Sequence, residues 1–127
     1  MKRELFWFGV IGISALLSHF LLVTLLVTLG LQPLVANVVA YLLAFQVSYW
    51  GHRRKTFEAN HLPHRQTLPR FFAVASVSFL LNEALYFLLL QFTELDYRVA
   101  LLLVLLVVAV LTFVLSRTWA FAGGKPA

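Results

Sequence analysis

The sequence predicts an all-α membrane protein, with four transmembrane helices forming two parallel two-helix repeats and both termini cytoplasmic. Three observations predict it. The 127 residues are 61% hydrophobic and only 12% charged, with a mean hydropathy of +0.89, whereas soluble domains average about 25% charged residues. Four apolar stretches each approach the roughly 20 residues of helix that cross a bilayer core. The basic residues gather on one side of those stretches. Small domains expose much of their area, so this composition excludes an ordinary soluble enzyme and a disordered tail.

The first span covers 5–29, broken only by small or weakly polar residues and His19. It follows Lys2 and Arg3, but its apolar run exceeds a signal core and no A-x-A-like site follows, so it reads as a retained helix. Gly30, Gln32 and Pro33 mark a tight turn, with Pro33 suited to open the next helix. The second span is 34–51. The stretch 52–69 is polar and basic, with Pro63 and Pro69 as expected breakers. The third span, 70–92, and the fourth, 98–119, flank a polar turn over 93–97. One domain over 1–127 is expected, with a short Gly/Pro-containing tail.

Lys2, Arg3, Arg53, Arg54, Lys55, Arg65, Arg70, Arg117 and Lys125 share the side of the termini and central loop, and only Arg98 lies opposite, beside Glu94 and Asp96. By the positive-inside rule that side is cytoplasmic. This accounts for the net charge of +5 with no nucleic-acid partner. The absence of cysteine excludes disulfides, thiol catalysis and thiolate metal sites.

The chain also repeats. A shift of 64 residues lays Phe8–Phe57 on Phe72–Phe121 without a gap, placing Arg53 on Arg117 and Phe57 on Phe121. Gly9, Gly12 and Ser14 fall on Ala73, Ser76 and Ser78, small residues of the kind that let membrane helices approach closely. Parallel repeats of this type occur in transporters.

Glu83 lies thirteen residues after Arg70, about 20 Å along a helix and near mid-membrane. A carboxylate there costs about 2.5 kcal/mol or more unless it is neutral, paired or facing water. Its repeat mate is His19, Asn82 pairs with Ser18, and Asn37 lies toward the outer end of the second span. These residues suggest a polar seam between the halves. As a functional site the seam would couple protons or bind a headgroup; as a structural one, a protonated Glu83 would bond His19 or Asn37.

A basic rim is the second constellation. Arg53, Arg54 and Lys55 end the second span, Arg117 ends the fourth, and Arg70 opens the third. Guanidinium groups grip phosphate in bidentate fashion, though such residues also snorkel and set topology. Tyr49, Trp50, Phe57, Trp119 and Phe121 flank the rim as an interfacial aromatic belt would. His61 and His64 have Glu58 as their only near carboxylate, a poor metal set, so no metal and no cofactor are expected. No Gly-rich phosphate loop, nucleophile elbow or carboxylate pair for glycosyl transfer is present, so the chain is not read as an enzyme.

The segment Ala44-Phe-Gln-Val-Ser-Tyr-Trp-Gly-His-Arg-Arg-Lys-Thr-Phe57 resembles the signature that closes the second span of GtrA-like proteins, and Thr112-Phe-Val-Leu-Ser-Arg-Thr-Trp-Ala-Phe121 resembles its second copy. Arg70-Phe71 and Leu81-Asn82 fit as well. His52 stands where the family usually has Asn, Lys55 where it usually has Trp, and Glu83 after Asn82 is not a general family feature. The resemblance implies a flippase that translocates undecaprenyl-phosphate-linked glucose or a related sugar across the bacterial cytoplasmic (inner) membrane. A separate membrane glycosyltransferase would then use that sugar to decorate a cell-envelope polysaccharide. Arg53, Arg54, Arg70 and Arg117 could capture the phosphate, and His19, Asn37, Asn82 and Glu83 could ease the sugar past hydrocarbon. A homodimer or partner complex would help four helices enclose the path. The alternatives are a small proton-coupled cation or multidrug exporter and a non-transporting scaffold for a glycosyltransferase.

Overall fold

The computed structural model describes residues 1–124, so Lys125 lies outside the described residues. The described residues form four long helices, α1 (Lys2–Thr28), α2 (Pro33–Gly51), α3 (His64–Phe92) and α4 (Tyr97–Leu115), with five-residue π-helical turns at His52–Thr56 and Ser116–Ala120. All four are long and apolar enough to cross a membrane. Large apolar side chains point outward along them; Leu16 is 69% exposed and Leu106 65%. That is the reverse of a soluble helix and matches a hydrocarbon surround.

The chain divides into two compact units, Met1–His61 and Leu62–Gly123. Each is a helical hairpin closed by its π turn. The repeat predicted from sequence reappears in the helix ends. Adding 64 to Pro33–Gly51 gives Tyr97–Leu115, adding it to His52–Thr56 gives Ser116–Ala120, and Thr28 maps onto Phe92.

In the first unit α1 ends in a Schellman motif. Gly30 takes φ +103°, Gly30 N–H donates to the Val27 carbonyl and Leu31 N–H to that of Leu26. Such a backbone favours glycine. Pro33 then sits at the first position of α2, where its missing N–H costs nothing. Ala36, Ala40 and Ala44 form the buried stripe of α2, one residue per turn, and lie against α1. Near its end α1 approaches so closely that a Cβ on Gly51 would meet Ile11 Cγ2 at 2.6 Å.

The second unit starts its return helix differently. The Asp96 carboxylate accepts from Arg98 N–H at 3.0 Å, a side-chain cap in place of the proline. Its core holds Phe71, Val74 and Ser78 of α3 with Ala100, Val104 and Phe113 of α4. Thr112 donates its hydroxyl proton to the Val108 carbonyl at 2.7 Å, so Ser78 is the donor in the 2.6 Å Ser78–Thr112 bond joining the two helices.

One expectation is corrected. Pro69 does not break the chain; it lies inside α3, which starts at His64 with Pro63 as its N-cap. The third helix therefore begins six residues earlier than expected, leaving only 57–63 as a connector. Pro69 is close enough to the helix start that it forfeits a single interior hydrogen bond, that to Arg65, while Thr67 is fully buried and anchors the first turn by donating to the Pro63 carbonyl.

Candidate functional site

The π turns carry the chemistry. Such turns widen the helix by one residue and often mark functional sites. In the first unit Phe57 N–H reaches back to the His52 carbonyl at 2.9 Å and Ala59 N–H to the Arg53 carbonyl at 2.7 Å. His52 is buried, its ring stacks on Phe8 at 4.8 Å, and its Nδ1 lies 2.9 Å from Thr56 Oγ1. His52 is thus a packing piece that ties the turn to α1. Glu58 follows with φ +46°, a left-handed backbone that costs a non-glycine residue roughly 1–2 kcal/mol. Its carboxylate accepts from Arg3 Nη2 at 2.9 Å.

Arg3 also donates to the carbonyls of Lys55 and Thr56, groups that a helix end leaves without intrahelical donors. A cation there also opposes the negative end of the helix dipole. The second unit does the same with another residue: Arg70 Nη1 donates to the Trp119 carbonyl at 3.2 Å, and its guanidinium lies 5.5 Å from the Trp119 ring centre. Lys55 and Trp119 are repeat mates, whereas Arg3 and Arg70 are offset by three residues from mate positions. The same carbonyl is therefore held by arginines one helical turn apart.

The two arginines in matched register are separated by their surroundings. Arg53 is buried, and its Nη2 donates to the Asn60 carbonyl at 2.9 Å while Nη1 lies 3.4 Å from Asn60 Oδ1. Arg117 is exposed on its π turn. Arg54 is exposed and rests on Trp50, 4.9 Å from the ring centre, and Lys55 sits 5.5 Å from the Trp7 ring centre. Cations on indole faces gain about 0.5–1 kcal/mol at exposed sites and are thereby held at the level where tryptophan prefers to lie in a membrane. Beside this turn a concavity of about 270 Å³ is lined by Arg54, Glu58, Asn60 and His61.

The mid-span residues divide between the units. His19 Nε2 and Asn37 Oδ1 are 2.9 Å apart, an interhelical bond within the first hairpin. Two members of the expected polar seam, His19 and Asn37, thus meet within one hairpin. Glu83 is exposed on α3, next to the half-buried Asn82, whose Oδ1 has no hydrogen-bond partner among the described residues.

Sequence reasoning passed over Glu4 and Asn60, and weighed Glu58 only as a metal ligand. Glu4 is 3% exposed in the first turn of α1, where the dipole favours a carboxylate. An acidic residue on the basic side of an apolar span is the signal that could have found it. Asn60 carried no signal, because its position depends on the π turn. Among the described residues no group of three His, Cys, Asp or Glu side chains could hold a metal.

A family model described as the GtrA/DPMS transmembrane domain matches residues 7–121, which takes in both hairpins and both π turns. No curated protein matches the sequence significantly. With four helices able to cross a membrane and a family match over nearly its whole length, the chain is a multi-pass membrane protein belonging to the GtrA/DPMS transmembrane-domain family.

Proposed function

We propose that this protein is a non-catalytic translocase that carries undecaprenyl-phosphate-linked glucose, or a closely related sugar, between leaflets of the bacterial cytoplasmic membrane. The chain acts as one domain over 1–127, with both termini on the cytoplasmic side, where the basic residues lie. The observation that supports this reading is the arginine-bearing π turn that closes the second helix of each hairpin. Arg54 and Arg117 are exposed residues of these turns, and a guanidinium is suited to bidentate capture of a phosphate. Arg53 and Arg70 shape the same helix ends through Asn60 and Trp119. The polyprenyl chain stays in lipid, and His19, Asn37, Asn82 and Glu83 offer the sugar hydroxyls polar contacts within the hydrocarbon. A membrane glycosyltransferase consumes the delivered sugar.

Leaflet exchange of a polyprenyl-phosphate-linked sugar in liposomes tests this, with Arg54→Ala and Arg117→Ala alongside the native chain. Exchange by the native chain that collapses in both folded variants supports the translocase. No exchange above protein-free liposomes overturns it. Proton flux driven by an added cation would then favour an exporter, and copurification of a stable glycosyltransferase would favour a scaffold.

A further inference from the structure

We infer that the concavity beside the first π turn is a binding site for a hexosyl phosphate, in which Arg54 takes the phosphate and Asn60 and Glu58 take sugar hydroxyls. The inference rests on the chain handling a lipid-linked sugar, and it assigns the headgroup to named residues. The lining is Arg54, Glu58, Asn60 and His61, and the volume is about 270 Å³. That is just below the roughly 300–1,000 Å³ of drug-sized ligand pockets, and it suits one monosaccharide.

The donor and acceptor inventory selects the ligand. Arg54 uses only its π-facing surface, on Trp50, so its N–H fork remains available for an anion. Asn60 is oriented by Arg53, which reaches the backbone carbonyl at 2.9 Å and Oδ1 at 3.4 Å. With Oδ1 facing a guanidinium, the amide nitrogen is fixed as a donor of two N–H groups. Glu58 engages Arg3 through Oε1, which leaves Oε2 as an acceptor. A site for bare phosphate would gain nothing from a carboxylate in its wall, because the two anions repel. A ligand with both an anionic oxygen and hydroxyl donors satisfies all three residues. Glu58 is also the single non-glycine residue with positive φ among the described residues (φ +46°), and backbone strain of this kind clusters at ligand sites.

The test measures binding of undecaprenyl phosphoglucose and of bare undecaprenyl phosphate to the full chain in nanodiscs. Asn60→Ala and Glu58→Gln should each weaken the glucosylated lipid about five- to tenfold, the worth of one or two hydrogen bonds, and leave bare undecaprenyl phosphate within about twofold. Arg54→Ala should weaken both lipids. Arg3→Gln breaks the ion pair but keeps the Glu58 carboxylate, so it should preserve the preference for glucose. Soluble glucose 1-phosphate separates the sources: displacement of the lipid by it, weakened in Asn60→Ala, supports a site open to free sugar phosphate, whereas a glucose preference confined to the lipid supports a lipid-linked headgroup. Equal losses for both lipids in Asn60→Ala and Glu58→Gln, or none, overturn the site. Leaflet exchange measured on the same preparations keeps the two readings apart. A native chain that prefers glucosylated lipid without exchanging it overturns the translocase and leaves the pocket standing. Exchange with unchanged preference in both variants overturns the pocket alone.

Discussion

Gly51→Ala puts the closeness of the first hairpin to a quantitative test. A Cβ at this position would lie 2.6 Å from Ile11 Cγ2, 2.7 Å from Cδ1 and 3.0 Å from Cγ1. Two of these atoms branch directly from Cβ of a residue whose rotamer a helix nearly fixes, so the isoleucine cannot swing aside without moving α1. Overpacking of this type costs about 1–3 kcal/mol. The substitution gains about 0.5–1 kcal/mol from better helix propensity, so the clash wins and the net loss is about 1 kcal/mol. Ile11→Ala removes all three clashing atoms. In that background Gly51→Ala should become stabilising, and a double-mutant cycle should return a coupling of about 1–3 kcal/mol. Reversible unfolding in mixed detergent micelles, followed by helical circular dichroism, measures each corner. If Gly51→Ala stabilises the native background as much as the Ile11→Ala background, the close approach is wrong. The repeat mates are Leu115 and Ala75, the same large-and-small pair with the helices exchanged, so Gly51→Leu with Ile11→Ala should be tolerated better than Gly51→Leu alone.

The remaining tests use the same preparations. Arg70→Ala should lower stability by about 1 kcal/mol through loss of the Trp119 carbonyl bond and ring contact, and Arg70→Lys should restore only part of it. Ser78→Ala should cost about 0.6 kcal/mol, the average for interhelical bonds in membranes, because Thr112 keeps its own bond to Val108; a loss above about 2 kcal/mol would show that the hydroxyl pair does more than join two helices. The chain has no cysteine, so single Gln66→Cys and Leu95→Cys variants report orientation cleanly: a membrane-impermeant thiol reagent applied to intact cells should label only the second.

Much of the fold was legible because a bilayer makes composition decisive. An apolar run long enough to cross leaves few alternatives, and Gly30 with Pro33 marked their turn by backbone preference alone. The shift of 64 residues survived into the helix ends because it rests on boundaries rather than on interchangeable leucines. Pro69 misled because proline was read as a stop, although near a helix start it sacrifices little. The π turns were hidden for a different reason. His52–Thr56 and Ser116–Ala120 share almost no side-chain chemistry, so no pattern announces their hydrogen bonding. With the π turns went the fate of the arginines: Arg53 and Arg70 both stood among the candidate phosphate grips, but one orients Asn60 and the other caps Trp119. His19 and Asn37 were both suspected, yet their pairing follows from how α1 and α2 face each other, which spacing does not encode.

The arginines that hold the Lys55 and Trp119 carbonyls come from positions one turn apart in the two halves. Their demand is therefore for a positive charge at a point in space, and a flexible side chain satisfies it from either of two stations along the neighbouring helix. Such degeneracy gives each half freedom to drift: an arginine can migrate by a turn through an intermediate that carries both, with the helix end never uncovered. Two copies of one ancestral plan would then keep the same architecture while their charged residues fall out of step, and the face from which the charge departed becomes open to a new occupation.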